Sequence, residues 1–127
     1  DSTFDDLMLV SGWGKKEDGQ KRRWIIGKTA RVFMNLKVNN YKDLIIEAES
    51  IVKTQKVKVY INRHYAGKIY FENGKKTTQK ISVGRFLNSG LNTIILKTKY
   101  AYKLSEYIPE SKDNRHLSLF VSLISLK

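Results

Sequence analysis

The chain has 127 residues, with 24 Lys and Arg against 12 Asp and Glu, a formal charge of +12 at neutral pH. That length suits one domain with its own core, and a hydrophobic share of 41% excludes a disordered chain. The lack of cysteine excludes disulfides, thiolate catalysis and Cys-ligated zinc, and no apolar run approaches the roughly 20 residues of a membrane-spanning helix.

A first short strand is expected at residues 7–10, LMLV. Residues 11–28, SGWGKKEDGQKRRWIIGK, hold both tryptophans, Trp13 and Trp24, around a basic segment. Residues 30–36 (ARVFMNL) and 43–50 (DLIIEAES) read as strands. In KVKVYIN, residues 56–62, Val57, Val59 and Ile61 point one way while Lys56, Lys58 and Tyr60 point the other. That is period two, the mark of a strand with one wet face. Asn62-Arg63-His64 suits a hairpin turn, since Asn tolerates positive φ. The returning strand sets Ile69 and Phe71 against Lys68, Tyr70 and Glu72.

An Asn73-Gly74 turn leads to a strand at 79–83, with Ile81 and Val83 inward. A single helical turn fits 85–88, and residues 92–99 form the next strand. The segment 101–115, AYKLSEYIPESKDNR, is the longest connection, with room for one more turn at 103–107. Loops of this length are often functional, although a plain crossover over one end of the fold is the favoured reading. In the last strand, residues 116–126, Leu117, Leu119, Val121 and Leu123 alternate with Ser118, Phe120, Ser122 and Ile124. About eight short strands between turn residues predict an all-β, antiparallel β-sandwich in a single domain, residues 1–127. Its core is expected to hold Val57, Val59, Ile61, Ile94, Leu96, Leu119 and Val121.

The candidate sites are few. His64 and His116 are the only histidines and belong to no metal-spaced pair or nucleophile motif. The acid pairs Asp5-Asp6, Glu17-Asp18, Glu47/Glu49 and Glu106/Glu110 read as surface acids rather than a glycosidase pair. No catalytic residue is assigned. A structural calcium is the one cofactor entertained, through Asp5 and Asp6 or through Glu110 and Asp113, and no loop has EF-hand spacing.

Ligand contacts are expected from aromatic planes with charged neighbours. Trp13 with Arg22 and Arg23 forms one such candidate group, but both tryptophans read first as structural plugs, Trp24, just before IIGK, the surer of the two and Trp13 with one edge left wet. Tyr60 and Tyr70, interleaved with Lys56, Lys58 and Lys68 on an outward face, form another. Tyr102 and Tyr107, with Tyr100, cluster around the long loop. Lysine outnumbers arginine 18 to 6, which fits a merely solvated basic surface as well as one that binds a partner and speaks against base-specific reading of nucleic acid; where the surface does bind, weak, salt-dependent contacts to polyanions are expected.

Several motifs resemble one family. A "GW" at Gly12-Trp13 is followed by Trp24 just before a strand; VKVYINRHYAG (57–67) makes a hairpin; SGLNTIILK (89–97) precedes a strand; NRHLSLFVSLISL (114–126) ends the chain. Together they resemble the accessory β-sandwich domains, jelly-roll or galactose-binding-like and similar to carbohydrate-binding modules, attached to bacterial and archaeal membrane proteins of surface-glycan assembly. The chain departs from that pattern at the central hairpin, where Arg63 rather than Gly follows Asn62, and in its high charge.

The resemblance implies a non-catalytic, extracytoplasmic accessory domain that belongs to a larger membrane-anchored protein of glycosyltransferase type. Its expected partners are a glycan or anionic polymer and its own parent membrane protein. The start at Asp1 rather than Met fits a fragment. Two alternatives remain at this point: a pure docking domain that binds no glycan, and a basic nucleic-acid-binding domain, for which no specific nucleic acid is expected.

Overall fold

The computed structural model describes residues 7–17 and 22–127. Ten strands occur among them: β1 (Met8–Ser11), β2 (Arg23–Ile26), β3 (Thr29–Leu36), β4 (Asp43–Glu49), β5 (Gln55–Ile61), β6 (His64–Phe71), β7 (Lys76–Ser82), β8 (Gly90–Thr98), β9 (Tyr102–Lys103) and β10 (His116–Leu126). They form two antiparallel sheets. One has the order β1-β3-β8-β5-β6 and the other β2-β10-β4-β7, with β9 paired to the start of β10. The two inner faces meet in a single core, in which all seven expected core residues are fully buried. The jelly-roll-type sandwich expected from the sequence is the fold observed, with two strands more than the pattern suggested.

Both additional strands have a physical reason to escape a period-two reading. In β2, Ile25 enters the sandwich interior while Trp24 is buried on the sheet's outer face, beneath Leu117, Phe120, Ile51 and Leu104. A strand buried on both faces shows no alternation. β9 is two residues long and lies inside what the sequence presented as a loop; a single 3-10 turn at Leu104–Glu106 follows it.

The last strand corrects the expected alternation. Its register shifts once between Leu117 and Leu119 against β2, and again between Val121 and Leu123 against β4. Each irregularity reverses which face the next side chain takes. Leu117 therefore packs with Trp24 outside the sandwich, Leu123 is half-buried, and Ile124 and Leu126 enter the core. Ser122, at the second shift, donates to the Glu47 backbone carbonyl (3.1 Å) and to the Glu47 carboxylate (2.9 Å).

The central hairpin turns on Asn62 (φ 50°) and Arg63 (φ 71°), both left-handed. A two-residue loop of that type needs positive φ at both positions, which Asn tolerates and Gly usually supplies. Arg63 adopts it at a steric cost. Asn62 is well held there: its side chain donates to the Phe86 carbonyl and to Asn92 Oδ1, and accepts from the Thr93 amide. Gly12 has the opposite logic. Its φ is 86°, and a Cβ there would collide with the Thr29 carbonyl, so the GW pair lets the chain lie flat against β3 and tuck in Trp13.

Candidate binding surface

The first sheet turns its outer face to solvent. Along β5, Val57, Val59 and Ile61 are buried, which sends Lys56, Lys58 and Tyr60 outward. Strand register then sets side chains from three strands into transverse rows. Lys58 lies opposite Lys97 of β8 on one side and opposite Lys68 of β6 on the other. In the next row Tyr60 lies between Ile95 and Tyr65, with Arg31 of β3 beyond Ile95. In the row on the other side Lys56 is opposite Tyr70, and the Lys99 amide donates to the Lys56 carbonyl at 3.0 Å.

The Lys97 ammonium sits 5.0 Å from the centroid of the Tyr60 ring, and Tyr65 leans on Tyr60 at 5.4 Å with 55° between planes. Tyr65 and Tyr70 are 49% and 48% exposed, enough ring for a ligand to cover. Lys56, Lys58, Tyr60, Lys97, Thr98 and Lys99 line a shallow depression of about 320 Å³. Tyr60 and Tyr70 thus lie on one outward face, as the alternation indicates. Sequence reading did not include Tyr65, Lys97 or Lys99 in this group. Alternation along β8 signals the exposure of Lys97, but not which strand it neighbours; Tyr65 shares the parity of the buried Ile69 and Phe71 and reaches the outer face only through the register shift opposite Val59 and Tyr60.

A second aromatic group stands where the chain passes from the end of β8 in the first sheet to β9 beside β10 in the second. Tyr100 and Tyr102 are 5.8 Å apart, and Tyr102 meets Tyr107 edge-on at 5.2 Å. The ammonium groups of Lys53 and Lys99 lie 5.0 Å and 5.2 Å from the Tyr100 ring. The fully buried Gln55 fixes this segment: its amide donates to the Tyr100 and Ser118 carbonyls, and its Oε1 accepts from the Tyr100 amide. Burial, reinforced by Tyr100 and Tyr107, raises the pKa of the Tyr102 phenol, whose oxygen has no hydrogen-bond partner among the described residues.

The tryptophan and arginine residues are distributed differently from the expected cluster. Trp24 stacks on Phe120 at 4.5 Å, and the Arg22 guanidinium lies 4.3 Å from the same Phe120 ring and 3.5 Å from Glu49. Arg23, one residue on, donates to the Gly14 carbonyl at 3.0 Å. Trp13 is half-buried against the core and donates its indole N–H to the Arg31 carbonyl at 3.0 Å. Its exposed part borders a depression with Lys15, Lys16 and Arg115, not with Arg22. Consecutive residues of a strand point to opposite faces, so Arg22 and Arg23 do not act as one pair.

The remaining chemical candidates are held by structure. His64 stacks on Phe86 at 5.5 Å, and His116 opens β10 opposite Lys103. Glu47 accepts from Thr78 and Ser122 and pairs with Lys76, which is more than simple solvation. Asp113, one of the acids considered for calcium, is gripped by the Arg115 guanidinium through both oxygens, at 3.0 and 2.7 Å. Those bonds hold its carboxyl below the usual carboxylate range. Arg115 thus takes three of that carboxylate's roughly four acceptor sites, and no group of three metal-ligating side chains occurs among the described residues. Glu110 and Asp113 are not joined by a third metal-ligating side chain there, and Asp5 and Asp6 lie outside the described residues.

No family model matches the sequence, and no curated protein matches it. Solved structures match across the whole chain. A carbohydrate-binding module, CBM36, in complex with calcium and xylotriose superposes with a TM-score of 0.62 at 14% identity, covering 99% of this chain and 98% of that one. A family 35 carbohydrate-binding module from Clostridium thermocellum gives 0.61 at 14% identity, covering 98% and 97%. A GH26-CBM35 β-(1,4)-mannanase from Podospora anserina gives 0.53 at 14% identity, covering 99% of this chain but 27% of that longer one. The chain has the β-sandwich fold of these carbohydrate-binding modules.

Proposed function

We propose that this chain is a non-catalytic glycan-binding module whose ligand lies on the outer face of the first sheet. The observation that carries the reading is the pair of exposed tyrosines on either side of the lysine row, Tyr65 and Tyr70 with Lys58 and Lys68 between them and Lys56 opposite Tyr70, on the fold of carbohydrate-binding modules. Aromatic planes cover sugar C–H faces while ammonium groups meet ring oxygens, hydroxyls and acidic substituents. The sequence motifs support a finer statement, that the module is an extracytoplasmic accessory domain of a membrane-anchored glycan-assembly protein. Affinity electrophoresis through gels cast with single polysaccharides tests the reading. At least one polysaccharide should retard the native domain, and Tyr70→Ala should weaken that retardation with the fold intact. Migration unaffected by every polysaccharide in a broad panel overturns it.

A further inference from the structure

Three lysines from three adjacent strands stand side by side on this face: Lys97 of β8, Lys58 of β5 and Lys68 of β6. All three are exposed, and Lys56 and Lys99 fill the adjoining row. None of these five pairs with a carboxylate of the described residues; the carboxylates that form ion pairs there do so with Arg22, Lys75, Lys76 and Arg115. Like charges directly opposite one another across a sheet are unfavourable. The fold accepts that cost at two consecutive pairings, which is the arrangement expected where a ligand supplies the missing negative charge.

From this geometry we infer that the face selects an acidic polysaccharide, bound across the strands along the line Lys97–Lys58–Lys68. The inference rests on the glycan-binding reading and deepens it. Neighbouring strands are spaced about 4.8 Å apart, so the row offers a rail of ammonium groups roughly 10 Å long, running perpendicular to the strands. Lysine is a flexible point charge without the fixed bidentate fork of arginine. Such a rail recognises repeated negative charge, whether carboxylate or sulfate, more than one anion geometry. The aromatic rings argue for sugar over nucleobase. Tyr60, in the middle of the face, already has the Lys97 ammonium over its ring and Tyr65 against it. Binding of single-stranded nucleic acid relies on open aromatic faces for successive bases; with Tyr60 covered, the open rings are Tyr65 and Tyr70, which stand on opposite sides of the lysine row rather than in succession.

The test is affinity electrophoresis and calorimetry on the intact domain with polygalacturonate, dextran sulfate, plain dextran and an oligothymidylate. Lys58→Gln/Lys68→Gln is compared with Lys80→Gln/Lys112→Gln, which removes the same charge from exposed positions on β7 of the other sheet and on the long loop. Circular dichroism and the thermal midpoint confirm that both double variants fold. Expected is binding of the carboxylated polymer, the sulfated one or both at least about tenfold tighter than dextran, weakening with salt by counterion release. The rail variant should lose most of that preference, and its log–log salt slope should flatten by about two, whereas the control pair changes little. Acidic and neutral polymers bound equally, with the rail variant unaffected, overturn the inference while glycan binding stands. Failure of every polysaccharide removes both. Oligothymidylate bound more tightly than either acidic polymer overturns the inference in favour of nucleic acid.

Discussion

The lysine rail makes a prediction about stability that is independent of any ligand. Flexible stems let ammonium groups on neighbouring strands settle about 6 Å apart, where two unit charges in water repel by about 0.7 kcal/mol. A Debye length of about 8 Å at physiological ionic strength roughly halves that, to about 0.3 kcal/mol for each neighbour. Lys58 has a lysine on both sides, and Lys68, on an edge strand, has one. Lys58→Gln should therefore stabilise the fold by about 0.6 kcal/mol and Lys68→Gln by about 0.3 kcal/mol. Lys97 also has one neighbour in the row, but its ammonium lies 5.0 Å from the Tyr60 ring centroid. A cation–π contact at an exposed site contributes about 0.5–1 kcal/mol. Lys97→Gln should come out neutral to mildly destabilising. Urea denaturation and thermal melts of the three variants at low, physiological and molar salt read these differences against the parent at the same salt. The gains should grow at low salt and disappear near 1 M, where the Debye length falls to about 3 Å. A gain at Lys58 no larger than at Lys68, or one that survives molar salt, refutes the row.

Other outcomes follow from particular contacts. Trp24→Ala should destabilise by about 3–5 kcal/mol, since it empties the small apolar cluster with Leu117 and Phe120, and acrylamide should quench Trp24 far less than Trp13. Leu123→Ala should cost less than about 1 kcal/mol and Ile124→Ala about 2–5 kcal/mol; equal costs would deny the phase change in β10. Asp113 has its pKa lowered chiefly by the Arg115 side chain, so its contribution is present above the ordinary Asp value and is lost as pH falls through the folded one. The stability gap between the parent and Asp113→Asn should thus be constant at neutral pH and shrink below about pH 4; a gap unchanged into strong acid would refute that role.

The strands legible in the sequence are those with one dry and one wet face. β4, β5 and β8 alternate strictly because the sandwich interior takes every second residue. β2 is not legible because Trp24 and Ile25 are buried on opposite faces, and β9 because two residues define no period. In β10 the obstacle is different. The pattern is strong, but two bulges reverse its sense, and the clue is a serine among leucines, Ser122, whose hydroxyl is spent on Glu47.

The binding face was half legible for a related reason. Alternation along one strand tells which side chains leave the core, and it placed Tyr60, Lys56 and Lys58 outward together. It cannot tell which strand lies alongside, because β5 and β8 are separated by β6 and β7 in the chain and meet through long-range pairing. Lys97 beside Lys58 is a property of register. Proximity in sequence misleads in the converse way: Arg22, Arg23 and Trp13 look like one basic aromatic cluster, yet Arg22 goes to Phe120 and Glu49 and Arg23 to a backbone carbonyl. Charge that finds such internal partners is spent on the fold. On the rail only Lys97 has such a partner, the Tyr60 ring, and none of the three pairs with a carboxylate of the described residues, so most of the cost of gathering Lys97, Lys58 and Lys68 falls on stability and its return must come from outside the molecule. Removing Lys58 should therefore strengthen the fold and weaken polyanion binding in the same variant, a pair of opposite signs that neither a merely soluble basic surface nor a structural lysine would produce.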